Sequence, residues 1–340
     1  MNRKRFKVSL FLLFLITILG FLLFPYYQFV GRVTGRSPIA LLLLNNHFKK
    51  TNNTVNILLL GKAGGNNDGP NLTDSITVAS YNLNTKKVYL ISIPRDIWSQ
   101  TLNEKINAAY AFGEAKKAGG GMILSSAEIG SVVDLPIHYA IVIDFEKFQT
   151  IIDSVGGVDV DVTHSFVDNK YPRPGKENDT CNGDPEYLCR YETISFQAGM
   201  HHMNGETALK FARSRNAEGD EGSDFARSAR QQKIFQSLRV KAQQIAKSGN
   251  LKKIEALYNS FDRAIERNIK NDEVAFLAKK IVFSGGIHEI TVPLPEDLFI
   301  VPNVTDYYGK YVLIPATGNF DRIHEYVKCA LLDKEICLQS

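Results

Sequence analysis

VNILLLGKAGGNNDGPNLTDSITVASYNLNTKKVYLISIPRD, residues 55–96, carries the pattern that decides the fold. Val55–Leu60 is a short, unbroken apolar run ending at Gly61, as expected of a strand buried on both faces. A polar, glycine-rich loop runs from Gly61 to Thr73. Ser75–Tyr81 and Lys87–Ile93 then read as two more strands, separated by a turn at Asn82–Asn84. Pro94 cannot continue a ladder, so it ends the third strand and aims Arg95 and Asp96 from its tip. Ligands of α/β sheets gather at such strand ends.

Outward from this core, strands and helices alternate. Asn107–Lys117 and Met122–Ile129 are predicted helices on either side of Gly119-Gly120-Gly121. His138–Ile143 is a strand, Phe145–Ser154 a helix and Val158–Val162 a strand. Asp168–Phe196 is rich in Pro, Asn, Asp and Gly and reads as an irregular excursion. Gly205–Arg213 follows as a helix that Asn204 can cap, and Asp224–Lys247 as the longest helix, capped by Ser223. Leu251–Phe283 holds one or two helices, Ile287–Leu294 and Tyr311–Ile314 are late strands, and Asp321–Leu332 closes the chain as a helix. The alternation predicts an α/β fold, a three-layer α-β-α arrangement around a mixed central sheet.

The bulk composition excludes some functions. Forty basic residues against 36 acidic ones leave a net charge of +4, too balanced for a nucleic-acid surface. Residues 1–7 carry Arg3, Lys4, Arg5 and Lys7, and Val8–Phe24 then runs without a charge. At about 1.5 Å per residue that run falls just short of a hydrocarbon core of about 30 Å. Tyr26 and Tyr27 extend it into an aromatic belt. The expectation is a cytoplasmic tail (1–7), a single transmembrane anchor (8–27), a stalk or packing segment (28–53), a main globular domain (54–248) and a C-terminal part packed on or completing it (249–340). The basic flank places the tail in the cytoplasm and the globular part outside the cell membrane. A cleaved signal peptide is the rival, but no small-x-small site follows the run. All four cysteines lie beyond the anchor, as Cys181 with Cys189 and Cys329 with Cys337, and two local disulfides fit an exported protein better than four thiols. Neither pair has the spacing of a zinc site.

The chemistry-bearing residues are mostly arginines. Arg213-Ser214-Arg215 is followed by Asp224, Arg227 and Gln231, spaced three and four apart on one helix face that runs on into Ile234 and Leu238. Charge continuing into an apolar stripe suggests groups aimed into a cavity, where they need an anionic partner. Arginine forks match phosphate oxygens, and the start of a helix adds free N–H groups. Lys105 and Asn107, at the start of a predicted helix, fit the same anion. Asp68 and Asp74 flank the end of the glycine-rich loop, where paired carboxylates beside a phosphate suit Mg²⁺. Taken singly, these are also a surface Arg-Asp pair, a solvated lysine, turn-forming aspartates and a salt-bridged helix.

Together the pieces resemble the LytR-CpsA-Psr family of cell-envelope transferases. Those that carry the resemblance are the anchor, NILLLG at 56–61, Thr73-Asp74-Ser75, SIPRD at 92–96, KINAAY at 105–110 and DFEKFQTIIDSVGGVDVDV at 144–162. GMHHMNGETALKFARSR at 199–215 and DFARSARQQ at 224–232 complete the set. The resemblance implies transfer of a glycan polymer from a polyprenyl-pyrophosphate carrier to peptidoglycan, through a phosphodiester, with Mg²⁺. It implies that Arg95, Arg213, Arg215, Arg227 and Gln231 hold the pyrophosphate. Lys105, Asn107 and Asp224 would lie beside them, and Asp74 would hold the metal. Asp224 or Asp96 is the candidate base, and Ile234 and Leu238 would follow the lipid tail. The family usually has an Asp where this chain has Ala63, and Asp68 is the candidate replacement. A pyrophosphatase using water as acceptor, or a lipid-binding envelope protein without catalysis, uses the same residues.

Overall fold

The computed structural model describes residues 21–44, 48–62, 64, 71–176, 178–283 and 288–332. The chain is helical over residues 21–34 (α1) and Pro38–Leu43 (α2), then forms β1 (Thr54–Lys62), β2 (Thr73–Asn82) and β3 (Lys87–Ser92). Next come the short β4 (Trp98–Ser99) and β5 (Glu104–Lys105), α3 (Ala109–Lys116), α4 (Gly120–Val133), β6 (Tyr139–Asp144) and α5 (Phe145–Ser154). β7 (Val158–Val162), β8 (Phe166–Pro172), β9 (Tyr191–Phe196) and β10 (Gly199–Met203) lead to α6 (Gly205–Arg213) and α7 (Asp224–Lys247). The chain ends with α8 (Leu251–Ala264), β11 (Ile265–Arg267), α9 (Asn271–Phe283), β12 (His288–Pro293), β13 (Phe299–Ile300), β14 (Ile314–Pro315) and α10 (Asp321–Leu331).

The central sheet runs β11-β6-β1-β2-β3-β12 and is mixed. β1 pairs antiparallel with β2 but parallel with β6, and β12 pairs parallel with β3. Alternate residues of β1 feed opposite faces, as the period of two requires. Leu58 and Leu60 pack with Ile106, Tyr110, Ile129, Val133, Ile323 and Val327 of the α3, α4 and α10 side. Val55 packs with Phe276 and Leu277 of α9 on the other face. Both faces are therefore covered, which is why β1 reads as a continuous apolar run.

A second core lies under α5, α6, α7 and α8. β7 pairs with β10, and their inward valines, Val158, Val160 and Val162, meet Phe148, Ile152, Phe211, Ile234 and Leu238. Ile234 and Leu238 are only 1% and 4% exposed, packed by protein side chains, so the apolar continuation of the arginine stripe builds this core. α6 is set against α5 at Gly205, whose N–H donates to Asp153 Oδ1 at 2.7 Å. A Cβ there would come within 2.3 Å of the Gln149 carbonyl oxygen, so only glycine allows the approach.

Several elements differ from the sequence pattern: the expected strand at Tyr311–Ile314 is the two-residue β14, and the short strands β4, β5 and β13 were not expected. Residues 166–196 form a β8–β9 hairpin, and a Cys181–Cys189 disulfide lies within its long connection. Turn-forming residues hid the two strands. β11 interrupts the expected helical stretch 251–283 with a three-residue edge strand, too short to show a period. β10, five residues long, takes its identity from pairing with β7. Residues 28–44 and 48–53 run along the body: Phe48 is buried beside Val55, and Asn271 Nδ2 donates to the Val33 carbonyl at 2.7 Å. Cys337 and residues 8–20 of the expected anchor lie outside the described residues. Among the described residues no helix is long and apolar enough to cross a membrane.

Candidate functional site

One end of the sheet gathers the first group of residues. Lys62 at the end of β1 faces Thr73 of β2 and Asp144 of β6 in the strand register, while Ser92 ends β3. Just past β3, Arg95 forms an ion pair with Asp74 through Nη1 and approaches Asp96 Oδ2 through Nε at 3.6 Å. Lys105 Nζ holds the other Asp96 oxygen at 2.7 Å. The Asn107 N–H donates to the Arg95 carbonyl at 3.3 Å, and the Asn107 carbonyl accepts from Thr73 Oγ1 at 3.1 Å. A buried asparagine thus ties the arginine turn to the head of β2. Asp74, Arg95, Asp96, Lys105 and Asn107 form one connected network, with Arg95 braced between two carboxylates and its side chain 25% exposed. An arginine held this way keeps its fork oriented before any anion arrives, which lowers the ordering cost of binding.

A neighbouring triad at the same sheet end has no counterpart in the sequence pattern. Lys62 Nζ donates to Glu266 Oε1 at 2.8 Å and lies 5.3 Å from the centre of the Tyr110 ring. Tyr110 donates its hydroxyl to the other Glu266 oxygen. Burial opposes ionisation of Glu266, but the Lys62 and Tyr110 hydrogen bonds outweigh it and hold its pKa below the ordinary value. Burial first, then the Glu266 hydrogen bond, pushes the Tyr110 pKa upward. The triad pins edge strand β11 and helix α3 to the end of β1. Lys62 and Glu266 are 204 residues apart, so no local signal announces their pairing.

The second group is the turn after α6. Ser214 is fully buried and donates to Asp168 Oδ2 at 2.7 Å. The same carboxylate oxygen accepts the N–H groups of Arg215 and Asn216, each at 3.2 Å. From α7, Arg230 reaches back to the end of α6. Its Nε donates to the Phe211 carbonyl at 3.0 Å and its Nη2 to the Ser214 carbonyl at 2.7 Å. Its Nη1 binds Glu221 at 2.8 Å, and the guanidinium lies 4.8 Å from the centre of the Phe166 ring. Gln231 Nε2 adds a donor to the Ala212 carbonyl at 3.5 Å. A cation is favourable at a helix C-terminus, where carbonyls have no intrahelical partner. Desolvation lowers the Arg230 pKa from its ordinary value, opposed by Glu221 and Asp168.

Asp168 and Arg230 therefore grip the Arg213–Arg215 turn from two sides, one taking its N–H groups and the other its carbonyls. Arg213 is half-buried at the last position of α6, and Arg215 is exposed just past it. Ser223 caps α7 by accepting the Ala226 N–H at 3.1 Å, so Asp224 is the first residue of the helix and Arg227 lies half-buried in its first turn. Asp68 and Ala63 lie outside the described residues. The sequence pattern missed Asp168 and Arg230 as organisers of the turn. Asp168 sits in the presumed irregular stretch, and its partners in the turn are 46 to 48 residues onward. Arg230 was visible only as one more arginine in a run.

Comparison with known proteins gives the family and the fold. Residues 36–325 match the model of the LytR_cpsA_psr family. A curated relative, polyisoprenyl-teichoic acid–peptidoglycan teichoic acid transferase TagV of Bacillus subtilis (strain 168), is 29% identical over 262 residues, 74% of this chain and 58% of that protein. TagU of Bacillus mycoides (strain KBAB4), which carries the same transferase description, is 31% identical over 222 residues, 64% of this chain and 60% of that protein. The chain thus spans somewhat under two thirds of the length of these relatives. The crystal structure of B. subtilis TagV superposes with a TM-score of 0.55 at 25% identity, covering 82% of this chain and 97% of that one.

Proposed function

The chain belongs to the LytR_cpsA_psr family, and from that premise we propose that it is a membrane-anchored phosphotransferase acting outside the cell membrane. It takes a glycan polymer from a polyprenyl-pyrophosphate carrier and joins it to peptidoglycan through a phosphodiester. The relatives' description as polyisoprenyl-teichoic acid–peptidoglycan transferases supports the substrate class. The observation that carries the proposal is the braced Arg95 at the sheet end, with Asp74, Asp96, Lys105 and Asn107 in one network. Phosphoryl transfer asks a protein mainly for positioning and charge stabilisation, and a pre-oriented arginine supplies both.

The residues divide by task. Arg95 and Arg227 hold the transferred phosphoryl group. Arg213, Arg215 and Gln231 hold the rest of the pyrophosphate, and Lys105 and Asn107 keep the Arg95 turn in place. Asp96, which already accepts from Lys105, or Asp224 takes the proton of the attacking sugar hydroxyl. Polyprenyl phosphate leaves. The carboxylate of Asp74 offers hard oxygen donors and its side chain is 37% exposed, a fit to Mg²⁺, which takes one or two carboxylates and completes its shell with phosphates and water. Asp74, with Asp68 from the glycine-rich loop, would hold that ion, which supplies charge neutralisation at the pyrophosphate.

The test is one incubation of the full chain with a lipid-pyrophosphate-linked glycan, Mg²⁺ and a peptidoglycan acceptor. Glycan joined to the acceptor supports transfer. Lipid phosphate with free glycan phosphate means hydrolysis, and tight lipid binding with neither product means a binding protein. Should Asp68→Ala leave Mg²⁺ dependence intact while Asp74→Ala abolishes it, Asp68 is not the second ligand.

A further inference from the structure

We infer that the turn between α7 and α8 is a second membrane contact, a lysine-rich face that rests on anionic phospholipid headgroups; this rests on the anchored topology proposed above. Residues 241–253 read KAQQIAKSGNLKK, with Lys241, Lys247, Lys252 and Lys253 and no acidic residue. Lys247, Lys252 and Lys253 are exposed. A lysine cluster at an arbitrary place on a surface would say little, but this one has a fixed position relative to residues 21–24, the described end of the uncharged N-terminal run.

The fix comes from α1. Tyr26 donates its hydroxyl to the carbonyl of Gly249, in the middle of the turn. Phe29 packs edge-on against Tyr258 of α8 with ring centres 6.0 Å apart, and Arg32 pairs with Glu255. Arg36 Nε binds Asp272 Oδ2 at 2.7 Å, where α9 begins. Tyr26, Phe29, Arg32 and Arg36 recur at three- and four-residue intervals, so one face of α1, and Arg36 two residues past it, are seated on α8 and α9. Its direction relative to the body is therefore set. Phe21, Leu22, Leu23 and Phe24 are 81%, 60%, 53% and 55% exposed, apolar surface that the body does not cover. They are the end of the uncharged run Val8–Phe24.

The distances place the lysines at headgroup depth. Phe24 and Tyr26 are two residues apart, about 3 Å along a helix axis. The headgroup layer on each side of a bilayer is roughly 5–7 Å thick. If Phe24 marks the hydrocarbon boundary, Tyr26 and the turn it touches lie within that layer. Three exposed ammonium groups then stand where lipid phosphates are. Charge complementarity selects anionic lipid over a neutral surface. The anchor and the lysine turn would together restrain the tilt of the body over the membrane, which a single helix cannot do.

The test uses the full chain in detergent and in lipid nanodiscs of phosphatidylcholine alone or with about 30 mol% phosphatidylglycerol, a surface charge that attracts nearby lysines. Lysines are acetylated with an amine-reactive reagent and read individually by mass spectrometry. Lys247, Lys252 and Lys253 should react about threefold or more slowly in the anionic discs than in neutral discs or detergent, with the difference lost at about 0.5 M salt. Lys116 and Lys117, on the far side of the sheet from α9, should not change. A Lys252→Glu, Lys253→Glu variant should stay in the discs yet lose the protection at Lys247. Equal rates in all three settings overturn the inference. So does protection by soluble polyglycerol phosphate in detergent without protection by anionic discs, which would assign the lysines to a polyanionic polymer. A chain that elutes from the discs in high salt refutes the anchor itself, and the inference falls with it.

Discussion

Replacing Asp168 with alanine should destabilise the protein more than any single change at an exposed arginine. Its carboxylate is fully buried and accepts from Lys170 N–H at 2.9 Å, Ser214 hydroxyl at 2.7 Å, and the N–H groups of Arg215 and Asn216. Hydrogen bonds to a charged acceptor contribute about 1.5–3 kcal/mol each, but these share one carboxylate and do not add. Alanine also relieves the cost of burying the charge. Arg215 and Asn216 are exposed, so their N–H groups can turn to water, whereas the Ser214 hydroxyl cannot. Removing one member of such a buried charged network costs about 3–5 kcal/mol. For 340 residues at about 2.1 cal/mol/K each, the unfolding entropy is near 0.7 kcal/mol/K, so Tm should fall by about 4–7 °C. Thermal unfolding of the full chain in detergent, followed by circular dichroism, measures it. Asp168→Asn, which keeps an oxygen acceptor, should lose roughly half as much. A double-mutant cycle with Arg230→Leu should show coupling of about 0.5–3 kcal/mol, since both side chains hold the same turn. A Tm change below about 1 °C for Asp168→Ala, or additive single effects in the cycle, would refute the grip on the arginine turn.

Arg95→Ala should lower transfer about 10³-fold or more in the acceptor assay, the scale of losing one phosphoryl-stabilising arginine. His138 Nδ1 accepts the Asn56 N–H at 2.9 Å, so its neutral form is the one that fits, and burial lowers its pKa below 6.5. The unfolded chain then binds the proton more readily, so this contribution to stability is complete above pH 6.5 and is lost as pH falls towards the folded pKa. His138→Gln should flatten that part of a Tm-against-pH curve. Gly113 lies where a Cβ would come 2.3 Å from the Gly120 carbonyl oxygen, so Gly113→Ala should cost about 1–3 kcal/mol by spreading α3 from α4, read by urea denaturation. Cys181→Ser should loosen the β8–β9 connection: an eight-residue separation corresponds to about 2–3 kcal/mol of loop-closure entropy, visible as faster proteolysis within residues 173–190 and unchanged cleavage elsewhere.

Much of the frame was legible in local pattern. The strand at 55–60, the helices 205–213 and 224–247 with their Asn204 and Ser223 caps, and the proline ending β3 are all consequences of periodicity and capping within a few residues. The placement of Arg95, Asp74 and Lys105 at the sheet end was legible too, because strand ends and loops announce themselves. The hairpin at 166–196 was not, since turn-forming residues mask two strands whose pairing depends on each other. β11 was hidden because a three-residue edge strand takes its identity from the partner β6.

By itself the sequence determined the alternation of strands and helices, the family and the cast of arginines, because each depends on neighbours along the chain. Only the tertiary structure decided how those arginines are held. Asp168 and Arg230 meet the Arg213–Arg215 turn, and Lys62 meets Glu266, across tens to hundreds of residues. It also moved Ile234 and Leu238 from an expected lipid path into the protein's own core. The physical reason is the same in each case: a buried polar group or apolar face must find a partner in space, and chain distance does not specify which one.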